Sequence, residues 1–353
     1  MRFSDGLTIE AAATWLPAST ESGYALVADG ALAPEIPAAA GVIEVPVSHG
    51  ESAPDMAVRA ALQALESAGV RPADIGLLVH NWIYHQGHDF WSPAHYVADR
   101  TGAHNALPFG IQQMCHAGAM ALHTAAAHLT ADPSYGTALV TTADRFGPPG
   151  FDRWRGDYQV AYGDGATAAV IGRSGHGLRL VSHAMRAAPE MESMYRGTDA
   201  FSAAPLDHGR PLDIRRTKRD FIESGGMDRF AKTGPEAVRT VLLQSLSEAG
   251  LGADDPRIRY VALPRLGPKV LGLMYLPVIE ELLTAQPLHL GARTGHLGCG
   301  DVLANLADIS AQRLLAPGEF ALLLTGGGGF TWSCLVVEQT GDRQDTRSAP
   351  QAV

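Results

Sequence analysis

Cys115 is the residue in this sequence with the clearest potential for chemistry. It ends a short polar run, and the segment 109–129 that contains it continues almost wholly with Ala, Gly, Met, Leu and His. Ala and Leu at that density favour a helix. A thiol at a helix start lies near unpaired N–H groups and the positive end of the helix dipole, which stabilise the thiolate that attacks carbonyl carbons. A buried structural cysteine is the alternative, and this segment alone favours neither.

The composition restricts the class of protein. The chain has 353 residues, of which 46% are apolar and 18% charged, as expected for two domains or one large duplicated unit. A formal charge of −10 without any Lys/Arg block argues against nucleic-acid binding. The three cysteines give neither a disulfide framework nor a metal site. Without a signal-peptide pattern or a membrane-length apolar run, we expect a soluble, cytoplasmic protein that does not bind a membrane.

An internal repeat is the strongest organisational signal. Residues 57–70 match residues 237–251 with one inserted residue, and an Asp-containing turn and an apolar strand follow each copy. A helix predicted over 301–315 takes the place of the Cys115 helix. Continuously apolar strands separated by helices favour a parallel sheet covered on both faces. Two copies of one unit predict a layered α/β fold with pseudo-twofold symmetry.

The repeat also predicts the domain organisation. We assign residues 1–175 to a first half that carries the cysteine and residues 176–340 to a second half. Residues 341–353 are expected to be disordered. The stretch 173–227 has a poor hydrophobic pattern and many charges, and we predict surface loops and a covering helix there.

Three segments resemble the ketoacyl-ACP synthase III family of the thiolase superfamily. They are the Cys115 segment, YGDGATAAVIG at 162–172 and GGGGFTWSCLVVE at 326–338. The order and spacing of the predicted elements fit this family from about residue 7 to 339. The resemblance implies the thiolase fold, with two halves in αβαβα layers, and a homodimer, the usual state of this fold. Neither Gly-rich segment carries a phosphate-loop or dinucleotide fingerprint.

The sequence departs from the decarboxylating members of that family at two motifs. Their Pro-His-Gln-Ala-Asn segment corresponds here to ALPRLGPKVL, which places Pro264 or Arg265 at the His position. Their Gly-Asn-Thr-Ser motif corresponds to TGHLGCGD, which places His296 where Asn is expected. The donor pair that stabilises a decarboxylation enolate is therefore missing. This pattern looks like the acyltransferase-type relatives of polyketide and other natural-product pathways, which move an acyl group onto an alcohol or amine.

We therefore predict a ping-pong acyltransferase of polyketide or antibiotic biosynthesis. Cys115 would be the nucleophile and His296 the base that deprotonates the acceptor. Asp301 either orients His296 as in a triad or only caps the following helix. The oxyanion donors would be the backbone N–H of Cys115 and, by family resemblance, that of Gly328.

The donor is expected to be a phosphopantetheine thioester, on an acyl carrier protein or CoA, with no tightly bound cofactor or metal. In the family, an Arg near the loop before GDGA helps on the carrier side, and Arg153, Trp154 and Arg155 occupy that loop here, with a solvated loop as the alternative. Trp82 and His85 are predicted pocket walls. The Trp-Arg pair that the family uses for CoA has no counterpart in residues 17–45, which favours a carrier protein.

Two other functions remain open at this stage. The first is a chain-initiating ketosynthase or starter-unit priming enzyme, in which Arg265 or a water replaces the missing His. The second is an inactive thiolase-fold partner subunit, although a retained Cys115 and a His in the other half argue against it.

Overall fold

The structure is a computed structural model that describes residues 1–3, 6–205 and 207–341. Within these residues, ten strands form one large sheet and two form a short ribbon. The strands of the large sheet are β1 (Thr8–Trp15), β4 (Ile75–Asn81), β5 (Leu107–Ile111), β6 (Thr137–Asp144), β7 (Gly165–Gly172), β8 (Leu178–Ala187), β9 (Ile258–Ala262), β10 (Gln286–Leu288), β11 (Phe320–Gly327) and β12 (Thr331–Gln339). The ribbon pairs β2 (Thr20–Ser22) with β3 (Glu44–Pro46).

The helices fall between these strands along the chain. In the first half they are α1 (Gly23–Ala28), α2 (Glu35–Ala40), α3 (Ala53–Ala68), α4 (Pro93–Thr101) and α5 (Ala117–Ala131). In the second half they are α6 (Ser193–Arg196), α7 (Ile214–Glu223), α8 (Gly226–Ala249), α9 (Pro268–Met274), α10 (Leu276–Leu282) and α11 (Asp301–Ala311). None of these described helices combines the length and the apolar character needed to cross a membrane.

The strand order is the same in the two halves of the large sheet. From the middle outward, the first half runs β1-β7-β6-β4-β5 and the second half runs β8-β12-β11-β9-β10. In each half the two inner pairings are antiparallel and the two outer pairings are parallel. This repetition confirms the predicted pair of α/β units. The expectation of a parallel sheet is wrong for the inner strands, because no crossover helix separates β6 from β7 or β11 from β12.

Strand β8 joins the halves. Thr8 of β1 pairs with Arg179 of β8, and Ile9 pairs with Leu178. The sequence prediction of loops in this part of the chain is wrong for β8, whose polar residues obscure its strand pattern although two of them, Ser182 and His183, are buried. The predicted covering helix corresponds to α7.

The layers follow from where the apolar side chains pack. Helices α5 and α11 lie between the two half-sheets, and one apolar cluster joins Leu122 and Leu303 of these helices to Val79 of β4 and Leu323 of β11. Helices α3 and α4 cover the outer face of the first half, and α8, α9 and α10 cover that of the second. The architecture is therefore the five-layered αβαβα thiolase fold that the resemblance implied.

The sequence repeat corresponds to α3 and the C-terminal part of α8. Helix α3 starts at Ser52, whose hydroxyl accepts a hydrogen bond from Asp55 N at 3.2 Å. Both helices end at a glycine in the left-handed conformation, Gly69 with φ +66° and Gly250 with φ +71°. The predicted domain boundary at 175/176 lies between β7 and β8 and stays a prediction. Of the predicted disordered tail, all but residue 341 lies outside the described residues.

Candidate active site

Cys115 lies in the short connection between β5 and α5. The residue before it, Met114, has φ +50°, a left-handed conformation that is uncommon for a non-glycine residue. The cysteine is half-buried, and α5 begins two residues later and runs for 15 residues. The thiol therefore lies at the positive end of a helix, where a thiolate is stabilised.

His296 of the second half faces this thiol. Its Nε2 lies 3.0 Å from Cys115 Sγ, and only 2% of the residue is exposed. Its backbone is fixed by the segment leading into β7, because His296 N donates to Ala161 O and Gly163 N donates to His296 O. The ring of Tyr162 packs edge-on against the imidazole, with ring centres 5.3 Å apart. The start of the Gly-Asp-Gly-Ala motif thus positions the histidine.

Asp301 holds the other side of the imidazole. Its Oδ2 lies 2.7 Å from His296 Nδ1, and its Oδ1 accepts a hydrogen bond from Leu297 N at 2.9 Å. The backbone N–H of Arg265 also donates to Oδ2, at 2.9 Å. Asp301 is the first residue of α11, but within the described chain this helix has no side-chain cap. The carboxylate therefore contacts His296 rather than capping the helix.

The side chains of Asp301, His296 and Cys115 form a hydrogen-bonded chain. Burial alone lowers the pKa of His296, but Asp301 and Cys115 together raise it well above its usual value. Burial alone raises the pKa of Asp301, but the charge of His296 brings it below its usual value. The geometry favours an imidazolium that is paired with the Asp301 carboxylate and faces the sulfur of Cys115. A nucleophile, a base and an orienting carboxylate in this order can carry out acyl transfer.

Arg265 ties the loop before the histidine to helix α11. Its guanidinium donates to Thr294 Oγ1 at 2.7 Å and to Asn305 Oδ1 at 3.1 Å, and it pairs with Asp308 at 2.6 Å. The side chain is 2% exposed and lines neither of the cavities described below. It is therefore not oriented to replace the missing His of the family motif, as the ketosynthase alternative requires.

A glycine loop borders the thiol. Gly326, Gly327 and Gly328 line the cavity that contains Cys115. A Cβ at Gly327 would overlap the backbone of His116, so glycine lets the loop approach the helix start closely. The backbone N–H groups of Cys115 and Gly328 have no acceptor among the described residues. These are the two predicted oxyanion donors; both residues line the reaction cavity, and their role stays a prediction.

Two cavities of similar size meet at Cys115. We call the first, of about 390 Å³, the reaction cavity: it contains His296 and the glycine loop, and most of its other walls come from the segment 157–162 and from α7, α8 and α9. We call the second, of about 380 Å³, the side cavity: it contains Met114 and lacks the histidine. The lining of the side cavity has an aromatic part and a polar part. The aromatic part is Tyr84, Phe146, Phe151, Tyr162 and Tyr195, and the polar part is Arg196, Asp199, His208, Asp213, Arg216 and Thr217. Proton transfer to or from the imidazole is therefore confined to the reaction cavity.

The predicted carrier-binding residues lie away from both cavities. The buried Arg153 pairs with the fully buried carboxylate of Asp164 at 3.1 Å. The indole N–H of Trp154 donates to Glu21 at 2.7 Å, and its ring packs in a small apolar cluster. Arg155 is on the surface and does not line either cavity. The prediction for Arg153 and Trp154 is corrected, because a buried, fully paired side chain offers no face to a ligand.

The predicted pocket walls Trp82 and His85 also lie outside the two cavities. Trp82 stacks on His80, with ring centres 5.5 Å apart, and His85 is exposed. Neither lines a cavity, whereas the residues between them, Ile83 and Tyr84, line the side cavity. The expectation located the correct loop but assigned the wrong side chains.

Sequence reasoning missed the group that fixes this loop. The buried carboxylate of Asp144 accepts hydrogen bonds from Ile83 N and Tyr84 N at 2.8–3.2 Å. Burial raises the pKa of Asp144 to about 7, and the thiol of Cys299 lies 3.7 Å from the same carboxylate. An acidic residue at the end of a buried strand was the available signal. In the part of the chain that is described, no group of His, Cys, Asp and Glu is arranged to hold a metal ion.

Comparison with known proteins indicates the family of the chain. Residues 109–189 match the family described as 3-oxoacyl-[acyl-carrier-protein] synthase III. The beta-ketoacyl-[acyl-carrier-protein] synthase III of Listeria innocua is 25% identical over 291 residues, which cover 80% of this chain and 82% of the relative.

Solved structures share the fold along almost the whole chain. ChlB3, described as an acyltransferase, is 33% identical with a TM-score of 0.85, covering 95% of this chain and 98% of its own. The 3-oxoacyl-[acyl-carrier-protein] synthase III of Aquifex aeolicus VF5 is 19% identical with a TM-score of 0.75, covering 94% of this chain and 100% of its own, a likeness of fold alone. The chain therefore belongs to the ketoacyl-ACP synthase III family of condensing and acyl-transfer enzymes.

Proposed function

We propose that this protein is an acyltransferase that moves an acyl group from a carrier thioester, through an acyl-Cys115 intermediate, to a hydroxyl or amine acceptor in secondary metabolism. The observation that carries the proposal is the position of His296, within 3.0 Å of Cys115 Sγ and held by Asp301. An enzyme that decarboxylates needs donors for an enolate in the same cavity, and Arg265 is directed away from it. The likeness to ChlB3, described as an acyltransferase, supports the same conclusion.

In the first half-reaction the Cys115 thiolate attacks the carbonyl carbon of the donor thioester. The N–H groups of Cys115 and Gly328 are placed to stabilise the oxyanion that forms. The carbon–sulfur bond of the donor then breaks, and the departing thiol takes its proton from the His296 imidazolium. The enzyme is left with a thioester on Cys115 and a neutral imidazole.

In the second half-reaction the acceptor enters the reaction cavity. The neutral His296 removes the proton of its hydroxyl or amine as the oxygen or nitrogen attacks the acyl carbon. The bond from the acyl carbon to Cys115 Sγ breaks, and the thiolate is restored beside the imidazolium. The acyl group rests in the side cavity between the two steps, because the reaction cavity must release one substrate before it admits the other.

Exposed cations favour an acyl carrier protein as donor, carrying its acyl group on phosphopantetheine. The helices that line the reaction cavity bear exposed basic side chains on a chain that is acidic overall: Arg219 on α7, Arg229 and Lys232 on α8, and Lys269 on α9. An acidic carrier protein would be attracted to such a surface. We include CoA as an alternative carrier of the same thioester chemistry.

The homodimer and the cytoplasmic location are parts of the same proposal. Strand β5 is the outermost strand of the first half-sheet and pairs only with β4 among the described strands. Leu107 at its start is 50% exposed. An unpaired strand edge with apolar side chains is suited to pairing with a second copy of the chain across a twofold axis.

The test is the intact mass of the protein after exposure to a panel of acyl thioesters. We expect one acyl mass on the wild-type chain and none on Cys115→Ala, while the matched variant Cys299→Ala still gains it. An unmodified wild type with every thioester would contradict the proposal. Incubation with radiolabelled malonyl thioester separates the chain-initiating ketosynthase, which releases carbon dioxide, from the acyltransferase, which does not. Full pathway activity of Cys115→Ala would instead indicate an inactive partner subunit.

A further inference from the structure

A buried ion pair lies in the wall of the otherwise apolar reaction cavity. Lys218 Nζ of α7 is 2.5 Å from Asp157 Oδ1, and the two side chains are 14% and 1% exposed. The same carboxylate accepts hydrogen bonds from Tyr162 Oη at 2.9 Å and from Tyr158 N at 2.6 Å. Both oxygens of Asp157 are therefore engaged by the protein.

The oxygens of Asp157 are all paired, but the hydrogen-bond donors of this cluster are not. An ammonium group has three N–H donors. Within the described residues Lys218 donates to Asp157 and also contacts the Tyr195 hydroxyl, so at least one of its donors has no acceptor there. Lys218 Nζ lies 4.7 Å from the centre of the Tyr195 ring, and the Tyr195 hydroxyl has no acceptor in that part of the chain. Both side chains line the reaction cavity. The cluster thus presents donors without acceptors to whatever occupies that cavity.

The charges of the ion pair indicate whether a charged or an uncharged ligand oxygen would fit beside it. Burial alone lowers the pKa of Lys218, but Tyr195 and Asp157 raise it above its usual value. Lys218 is therefore charged, and Asp157 neutralises it. The pair is neutral as a whole, so it does not balance the charge of an anionic ligand, and an uncharged oxygen fits beside it better. A buried ion pair also adds little stability over an apolar pair of the same volume, so stability alone does not explain it.

We propose that Lys218 and Tyr195 form a subsite for an uncharged carbonyl or hydroxyl oxygen of the molecule that reacts with Cys115. The inference rests on the proposed function, because it assumes that donor and acceptor both pass through the reaction cavity. The oxygen belongs either to an amide of the donor's phosphopantetheine arm or to the acceptor. The two sources share one chemistry, and they are separated by measuring the two half-reactions.

The first half-reaction is measured as the rate at which Cys115 is acetylated. Acetyl-CoA offers the amide carbonyls of the arm, whereas ethyl thioacetate has none. If the arm supplies the oxygen, Lys218→Met lowers acetylation by acetyl-CoA about 10- to 100-fold and Tyr195→Phe about 2- to 10-fold, in line with charged and neutral hydrogen bonds. Acetylation by ethyl thioacetate stays unchanged.

The second half-reaction is measured as discharge of the acetylated enzyme. The probes are ω-amino alcohols from 2-aminoethanol to 6-amino-1-hexanol, each compared with the alkylamine of the same length. If the acceptor supplies the oxygen, the acetyl group of both variants is transferred more slowly to those amino alcohols whose hydroxyl reaches the subsite. The expected factors are those given above for Lys218→Met and Tyr195→Phe. Discharge to alkylamines is the matched control and stays unchanged.

The subsite is supported by a loss of rate that is selective for acetyl-CoA or one that is selective for the amino alcohols. Rates equal to wild type with every probe would overturn it, and so would an equal loss with all probes, which would indicate a structural role. If acetyl is not accepted, the acyl group found with the thioester panel is used on the same two carriers; a wild type that takes no acyl group from any thioester would instead contradict the proposed function. Because Lys218→Met leaves Asp157 unpaired, thermal unfolding is measured alongside. Tyr195→Phe removes one hydroxyl without stranding a charge, so it decides the question if the first variant does not fold.

Discussion

The starts of α5 and α11 occupy equivalent positions in the two halves, yet they carry different chemistry. Helix α5 follows a half-buried Cys115, whereas α11 begins at a buried Asp301 with Cys299 two residues before it. The two starts touch, because a Cβ at Gly118 would overlap the carbonyl oxygen of Cys299. One structural unit, used twice, thus supplies the thiol from one copy and the histidine with its carboxylate from the other.

The contrast between the two thiols shows that a position at a helix start does not by itself determine the reactivity of a cysteine. Cys299 is fully buried, and burial together with the charge of Asp144 raises its pKa well above the usual value. Cys115 instead faces the imidazole of His296 at 3.0 Å. Both thiols precede a helix, but one has an anionic neighbour and the other a cationic one. Burial and the neighbouring charge, more than the helix, therefore separate the proposed nucleophile from a core cysteine.

Removal of the imidazole should abolish the difference between the two thiols. We expect His296→Ala to slow acyl transfer by about 10³- to 10⁴-fold, because both half-reactions lose their proton carrier. Alkylation of Cys115 by iodoacetamide at neutral pH should also become slow, as it is for Cys299. Peptide mass mapping after alkylation measures both thiols in one sample. Unchanged alkylation of Cys115 would show that the helix alone activates it.

Asp301 should influence the reaction by raising the pKa of His296. We expect Asp301→Asn to slow transfer by about 10²- to 10³-fold. Because Asp301 raises the pKa of His296, its loss lowers that pKa. Discharge of the acyl-enzyme requires neutral His296, so the acidic limb of its pH–rate profile should move to lower pH, measured with ethanol as acceptor.

Asp308→Asn is the matched control for that experiment. Asp308 pairs with Arg265 at 2.6 Å and does not contact the imidazole. We expect its pH–rate profile to keep the wild-type acidic limb. An Asp301→Asn profile that also keeps this limb would contradict the role assigned to the carboxylate.

Arg265 should act as a positioning residue for the second half of the site. We expect Arg265→Met to lower kcat about tenfold while KM for the thioester changes little, because a misplacement of His296 affects the reaction more than binding. Arg265→Lys should recover part of the rate by keeping the charge beside Asp308. Steady-state kinetics of both variants test this. A rise in KM with an unchanged kcat would instead indicate contact with substrate.

Replacement of the second thiol should have the smallest effect. We expect Cys299→Ala to change the transfer rate by about twofold or less, since its thiol lies outside both cavities and touches only structural groups. Intact mass should still show a single acyl group on the chain. An acyl group mapped to Cys299 in the wild type would overturn the contrast between the halves.

The fold could be predicted because its signal is repeated. The helix sequence of residues 57–70 recurs at 237–251, and two matching helices with matching strands suffice to imply the duplicated sheet. Strand β8 was missed because its pattern mixes charged with apolar residues, so that neither period dominates. Its place becomes clear only from pairing with β1 and β12, which are distant in sequence.

The site was predictable where chemistry coincides with a local motif. Cys115 and Asp301 stand at helix starts, and His296 stands in a glycine-rich turn, so each carries its own sequence signal. Lys218 and Asp157 carry none, because they are 61 residues apart and neither stands in a recognisable motif. Their contact depends on how the loops after β6 and β8 fold over the cavity. The predicted roles of the site residues stay predictions until the variants are measured.

The division into a reaction cavity and a side cavity has a kinetic consequence. The imidazole and the glycine loop line one of the two spaces. Under the proposed mechanism donor and acceptor use that space in turn, so excess donor would fill the cavity of the acylated enzyme and excess acceptor that of the free enzyme. The proposal therefore predicts that each substrate inhibits the other competitively, and that flux is greatest when their supplies are balanced.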